Sequence, residues 1–253
     1  MGVTRTPACC RLMPAAVFLF GLCFAAQSGR TIAYHLEASS PLSRFSARQL
    51  ALLSKLNRAD SGHLGRLGRI VVPDRWVADE LVYSPMPQEV PELSDQTKAI
   101  IVDLPAQVFG AYESGRLVRW GPVSSGARHR ETPPGTYHLN WHQRVRISSE
   151  NPTWIMPWYF NFSSSGGLGL HQYSLPGRPA SHGCVRMLAS DAKWLFTWGE
   201  GWTVEAGSAE PVQTGTLVLV LGTYDYRSAP LWLQPKWWAR GVTLPEQQIA
   251  SRR

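Results

Sequence analysis

Cys184 stands in the run Ser181-His182-Gly183-Cys184-Val185-Arg186-Met187, two residues after His182 and thirteen after His171. A thiolate attacks carbonyl carbon well if a base or an electropositive setting draws off its proton and backbone donors await the oxyanion. The run offers both: two imidazoles able to take or share the proton, and Gly183, which lets backbone come close to a substrate. Acyl transfer through a thioester is the chemistry these residue types could perform. On an extended segment, side chains two apart share a face, so His182 could share the thiolate's proton, support the oxyanion or hold the loop. A supporting role is expected of it. Arg186 has the same spacing and could pair with a substrate carboxylate or brace the loop. Ser181 reads as a hydrogen-bonding turn residue that touches the substrate site.

The thiol stands alone only if the N-terminus is removed. Residues 1–28 carry Arg5 and Arg11, an apolar stretch from Met13 to Ala26, and the small-residue exit Ala26-Gln27-Ser28, the pattern of a secretory signal peptide. That stretch is short of the roughly 20 residues that span a bilayer, so no membrane anchor is predicted. Cys9, Cys10 and Cys23 would leave with it. Leu22, just before Cys23, is unlike the small residue of lipoprotein signals. Oxidising compartments favour paired cysteines, so a single retained thiol in an exported protein points to chemistry. The net charge of +7 loses Arg5 and Arg11 on cleavage, leaving a mildly basic protein of the periplasm or cell envelope. Its Lys and Arg residues are scattered, which excludes a nucleic-acid stripe.

The remaining chain falls into four stretches. In residues 29–72, Ser46 and Gln49 form a capping box, and Ala47, Leu50, Leu53 and Leu56 share a face, predicting a helix. A strand over 31–34 precedes it, and Ile70-Val71-Val72 closed by Pro73 follows. Residues 73–97, with Pro73, Pro85, Pro87 and Pro91, read as an extended linker laid as a semi-rigid strap. From Lys98 to Leu221 the pattern is that of strands: 100–104, 108–112 and 117–123 as a meander, then 169–170 and 217–221. This favours a mainly β sandwich or barrel with one helix near Ser190 carrying Trp194, Leu195 and Trp198 inward. Residues 222–253, with Trp237 and Trp238, look like an aromatic tail that packs on the domain. The aromatic run Trp154, Trp158, Tyr159, Phe160 and Phe162 reads as a groove wall or as β core. His129, His138 and His142 read as surface or structural residues.

Two segments carry a resemblance. IIVDLPAQVFGAYESGRLVRWGPVSSGARHRETPPGTYHL and GGLGLHQYSLPGRPASHGCVRM are similar to the L,D-transpeptidase (YkuD-type) catalytic domain, over about residues 98–221. The signature elements are His171, Ser181, His182, Gly183, Cys184, Val185 and Arg186, with the PVSSG run and TPPG turn upstream; the loop from His171 to Ser181 is short for the family. Residues 29–72 resemble a LysM carbohydrate-binding module through KLNR and GRIVVP, without its opening Gly-Asp-Thr; a small helical prodomain is the alternative. The catalytic resemblance implies a cysteine-dependent acyltransferase of peptidoglycan. Cys184 would attack a tetrapeptide stem at the L-centred carbonyl of meso-diaminopimelate and release D-alanine. His171 would be the base, held by the backbone carbonyl of Gln172. Backbone N–H groups around Gly183 and Cys184 would receive the oxyanion. Arg186, Ser181, Gln172, Trp158 and Tyr159 would contact substrate. The acceptor could be water, a second stem peptide in cell-wall cross-linking, or a lipoprotein lysine. No cofactor is implied, and no oligomeric state can be read.

Three other functions use the same residue types. A zinc site would employ His171, His182 and Cys184, but at a spacing foreign to structural sites and at the expense of the thiol. A papain-like protease places its cysteine early, opening a helix, with the histidine far downstream. A wall-binding protein without catalysis has no need of a thiol.

Overall fold

Ser46 does cap the first long helix: its hydroxyl accepts from Gln49 N–H while the Gln49 side chain accepts from Ser46 N–H. The computed structural model describes residues 1–2, 32–204, 211–245 and 249. The expected leader, with its three cysteines, lies outside the described residues apart from Met1 and Gly2. The described residues from Ile32 onward form one compact unit. Its strands are β1 (Tyr34–Ala38), β2 (Arg69–Pro73), β3 (Lys98–Asp103), β4 (Val108–Glu113), β5 (Arg116–Ser124), β6 (Gly135–His138), β7 (His142–Ile147), β8 (Ile155–Ser163), β9 (Leu168–Gln172), β10 (Val185–Met187), β11 (Thr203–Val204), β12 (Pro211–Gln213) and β13 (Leu217–Leu221). The helices are α1 (Ala47–Leu56), α2 (Ser61–Leu64), α3 (Ala189–Trp198) and α4 (Pro235–Trp238).

Nine strands join in one curled sheet, in the order β6-β13-β3-β4-β5-β10-β9-β8-β7, so the fold is mainly β as expected. The apolar runs of β3 and β13 are explained by their places inside it, away from either edge. They pair in parallel, and each is covered on both faces. Ala99, Ile101, Leu217, Leu219 and Leu221 enter one core; Ile100, Val102, Val218 and Val220 enter the other. The second core fills the inside of the curl with Phe109, Phe160, Phe162, Leu170, Val185 and Met187.

The first core lies on the outer face of the sheet and is built with sequence from both ends of the chain. Leu52, Leu53 and Leu56 of α1 meet Tyr83, Met86, Val90 and Leu93 of the proline-rich strap and Trp232, Trp237 and Trp238 of the tail. Arg58, wholly buried, sits at their junction. Its guanidinium lies over the rings of Trp232, Trp237 and Trp238 at 5.1, 5.7 and 5.2 Å and donates to the carbonyls of Ala106, Lys55 and Leu56. Burial lowers its pKa to about 9.

Three details differ from the sequence reading. The first strand runs over Tyr34–Ala38, pairing antiparallel with β2, so it begins where the expected one ended. Ala47 is exposed and Leu52 is buried, which turns the inner face of α1 by a residue. In α3 the fully buried apolar residues are Ala192 and Leu195. Trp194 and Trp198 stack on each other at 4.9 Å at the margin of the inner core. Rings this large cover the rim rather than enter a filled interior.

Candidate active site

β9 and β10 are parallel neighbours, with Leu170 opposite Val185, His171 opposite Arg186 and Gln172 opposite Met187. Residues opposite each other project from the same side of a sheet, so the His171 and Arg186 side chains share a face. Just before β10, Cys184 opens onto a cleft lined also by Arg146, Glu150, Trp154, Met156, Gly167, Leu168, His171, Tyr173, Ser181, His182 and Arg186 among others. The candidate nucleophile, both candidate imidazoles and the candidate guanidinium therefore open onto one space.

His171 is 3% exposed. Its Nδ1 lies 2.9 Å from the Gln172 carbonyl oxygen. A carbonyl can only accept, so Nδ1 carries the proton and Nε2 is left with a free lone pair. The Tyr159 ring lies against one side of the imidazole at 6.1 Å and the Tyr173 ring meets it edge-on at 5.9 Å. Burial lowers the His171 pKa to about 4, against the opposing pull of the Gln172 carbonyl and with a further push from Arg186. At neutral pH this ring is a neutral acceptor.

Burial also pushes the Cys184 thiol above its ordinary value; the Gly169 N–H directed at sulfur opposes it, Glu150 adds to it, and Arg146 and Arg186 oppose it. The thiol itself points at the Gly167 carbonyl at 3.9 Å. Both shifts favour the uncharged forms, a protonated thiol and a neutral imidazole, near neutral pH. Among the described residues no three His, Cys, Asp or Glu side chains are grouped to hold a metal ion.

The turn before the nucleophile is tied from both sides. Gly183 has φ +109°, a region that side chains rarely adopt, and a Cβ there would lie 2.9 Å from Leu168 Cδ2. Its N–H donates to Ser181 Oγ at 3.1 Å, and Ser181 Oγ donates to the Cys184 carbonyl. Because Gly183 bends the chain, residues 182–184 are not an extended segment, and the shared face assumed for His182 and Cys184 does not arise from strand geometry. His182 is exposed, its ring against that of Trp154 at 4.5 Å.

Sequence reasoning left the PVSSG and TPPG runs as matching motifs without a task. Thr132, 2% exposed, donates from Oγ1 to the Gly183 carbonyl at 2.7 Å and accepts from Gly126 N–H at 2.9 Å. The Ser125 carbonyl accepts from both Ala180 and Ser181 N–H, and Ala127 N–H donates to the Ser181 carbonyl. These two runs are the mould in which the nucleophile turn is cast. Thr132→Val keeps the shape but leaves two buried backbone groups unpaired, at about 1–3 kcal/mol each. It is expected to lower the melting temperature and slow acylation of Cys184, with Thr132→Ser restoring both; calorimetry and timed mass spectrometry read these out.

Several expected substrate contacts are placed elsewhere. Tyr159 is fully buried beneath His171, its hydroxyl donating to the Gly167 carbonyl at 3.0 Å. Trp158, at φ +55°, packs against Phe196 and under the cations of Arg144 and Lys193. That left-handed residue breaks the alternation of β8: Met156 before it and Tyr159 after it both face the site, while Trp158, Phe160 and Phe162 turn toward the inner core. The aromatic lining of the cleft is therefore Trp154 and Tyr173, not Trp158 or Tyr159. The Ser181 hydroxyl is spent within the turn, and Gln172 contributes its backbone carbonyl rather than a cleft contact. Arg186 lines the cleft, half-buried on the Tyr173 ring at 4.6 Å. Arg146 was missed. It lies on the alternating polar strand His142–Ile147, whose guanidinium stacks on Trp141 and Tyr159.

A family profile described as the L,D-transpeptidase (YkuD) catalytic domain matches residues 97–220. Residues 97–220, just under half of the chain, carry the pattern of the L,D-transpeptidase catalytic domain. Solved L,D-transpeptidases resemble it. That of Xylanimonas cellulosilytica is 28% identical, with 70% of this chain and 81% of that one covered and a TM-score of 0.48. That of Stackebrandtia nassauensis is 26% identical, with 51% and 57% covered and a TM-score of 0.42. That of Enterococcus faecium, a cysteine-to-serine mutant, is 23% identical, with 51% of this chain and 50% of that one covered and a TM-score of 0.39. The chain thus spans little more than half the length of the Stackebrandtia L,D-transpeptidase. No curated protein matches it.

Proposed function

We propose that this protein is a peptidoglycan L,D-transpeptidase working through a Cys184 thioester. What carries the reading is His171: buried beside the cleft that holds Cys184, with its proton fixed on Nδ1 by Gln172 and its Nε2 left as an acceptor. In the first half-reaction His171 Nε2 takes the thiol proton as sulfur attacks the L-centred carbonyl of diaminopimelate in a tetrapeptide stem. The tetrahedral oxyanion needs backbone donors. Since the Gly183 N–H is engaged by Ser181 Oγ, that task falls to the Cys184 amide, with Gly183 setting its direction. Collapse breaks the amide bond, and the D-alanine nitrogen leaves with the proton from His171. In the second half-reaction the neutral imidazole takes a proton from an incoming amine, which attacks the thioester carbonyl and frees the sulfur.

The neutral resting pair suits this sequence, because proton transfer and attack occur together and no charged pair must be desolvated beforehand. Arg146 and Arg186 line the cleft with Cys184 and match a donor that carries carboxylates at diaminopimelate and D-alanine. The LysM-like reading of residues 29–72 remains part of the proposal: β1, α1, α2 and β2 follow one another there, with the two strands paired. Export to the periplasm or envelope is also proposed; no helix among the described residues is long and apolar enough to cross a membrane.

Purified protein incubated with disaccharide tetrapeptide and read by mass spectrometry is expected to yield free D-alanine and a cross-linked dimer. Tripeptide with no dimer would make water the acceptor and the protein an L,D-carboxypeptidase. A stem–peptide conjugate formed only when a lysine-ended lipoprotein peptide is added as acceptor, with no stem dimer, would make it an anchoring enzyme. No product in any arm would sink the reading.

A further inference from the structure

Parallel neighbouring strands need a crossover, commonly a helix that packs on the sheet. Between Gln172, which ends β9, and Val185, which opens β10, the crossover has 12 residues and no helix or strand of its own. It nevertheless bears Tyr173 against His171 at one end and the nucleophile at the other. Its second half is held by the PVSSG and TPPG runs. Its first half, residues 173–178, is held by a different part of the chain.

Asp60 N–H donates to the Leu175 carbonyl at 2.9 Å, and Leu175 N–H donates to Asp60 Oδ2 at 2.7 Å. Gly177 N–H donates to the Arg58 carbonyl at 3.0 Å, and Ala59 and Pro176 form an antiparallel bridge. Gly177 has φ +76°, and a Cβ there would lie 2.8 Å from Leu67 Cδ2. The other carboxylate oxygen of Asp60, Oδ1, accepts from Gly62 and His63 N–H and so caps α2. One carboxylate therefore fixes a helix start and a catalytic loop together. From Leu175 the path to the chemistry is short. Arg186 donates to the Ser174 carbonyl at 3.5 Å and lies on the Tyr173 ring, and that ring abuts His171.

We propose that Asp60 is a positioning residue for the acyl transfer, acting through residues 173–178 on His171 and Arg186. It rests on the acyl-transfer reading of the cleft. The upstream segment thereby supplies the rigidity that a short, irregular crossover lacks, and its helices are part of the catalytic apparatus without touching substrate.

The discriminating variant is Asp60→Ser in the full chain, since serine caps a helix well but cannot reach Leu175. Expected are a melting temperature close to wild type, a kcat lower by roughly tenfold, as misplacement of reacting groups produces, and KM nearly unchanged. Amide exchange at Leu175 and Gly177 is expected to quicken. If Asp60→Ser does not fold, Gly177→Ala strains the same contact from the loop side, and the same kcat loss and faster exchange at Leu175 are expected. Wild-type kcat with wild-type exchange in the variant that folds would overturn the proposal, as would a kcat loss that only follows a loss of folded protein. A wild-type chain with no acyl transfer would instead reject the reading of the cleft, and exchange at Leu175 would still judge whether Asp60 holds the loop.

Discussion

Cys184→Ala is expected to abolish turnover on tetrapeptide stems, with a loss on the order of 10^4-fold or more, as when the nucleophile of a catalytic unit is removed. Covalent labelling by a carbapenem should vanish with it. The fold should remain, because the thiol's polar contacts are only a long one to the Gly167 carbonyl, which still accepts from the Tyr159 hydroxyl, and the Gly169 N–H directed at sulfur. An intact melting transition with turnover near wild type would reject the thioester. The raised thiol pKa adds a second observation. Iodoacetamide should label Cys184 slowly at pH 7, with a midpoint above that of an ordinary thiol, because the folded site favours the protonated sulfur.

His171→Ala is expected to cost about 10^2–10^4-fold in kcat, the usual range for a general base, whereas His182→Ala, which removes only an exposed ring against Trp154, should cost far less. A reversal of that order would transfer the role of base to His182. The pH profile tests the same residue. With the His171 pKa at about 4, the acidic limb of kcat/KM should fall near pH 4 rather than near 6.5, and His171→Ala should remove that limb. Stability follows the same sign. The unfolded chain binds a proton at residue 171 below about pH 6.5 and the folded chain does so only below about 4, so stability is fully present above 6.5. It is lost as pH falls toward 4, by about 3 kcal/mol in all. A denaturant midpoint that falls over this interval in the wild type, and falls less in His171→Ala, is the expected result.

Much of this was legible in the chain. The strands at 100–104, 108–112, 117–123 and 217–221 announced themselves through apolar runs, because β3, β4 and β13 are covered on both faces and leave no polar alternation to blur. The capping box of Ser46 and Gln49 and the Gln172 carbonyl behind His171 are local in sequence, and local relations survive folding. The cleft walls were not local. Arg146 sits on a strand whose residues are mostly polar, and it reaches the cleft only because β7 and β8 form the end of the curled sheet beside β9. Trp158 and Tyr159 were misplaced by one left-handed residue, a feature of backbone that no composition reveals. Asp60 is a similar case, as 115 residues separate it from the amide it receives.

The outer core joins α1, the strap, the middle of the sheet and the terminal tryptophans around Arg58. Residues 32–73 are consequently no bead on a string. Lengthening or shortening the strap would unseat Tyr83, Met86, Val90 and Leu93 from that core instead of extending a reach, and pruning the chain to 97–220 would strip an oily flank bare. Anything bound by the upstream helices would be held at one bearing and one distance from the sulfur, as a jig holds a workpiece to a fixed tool.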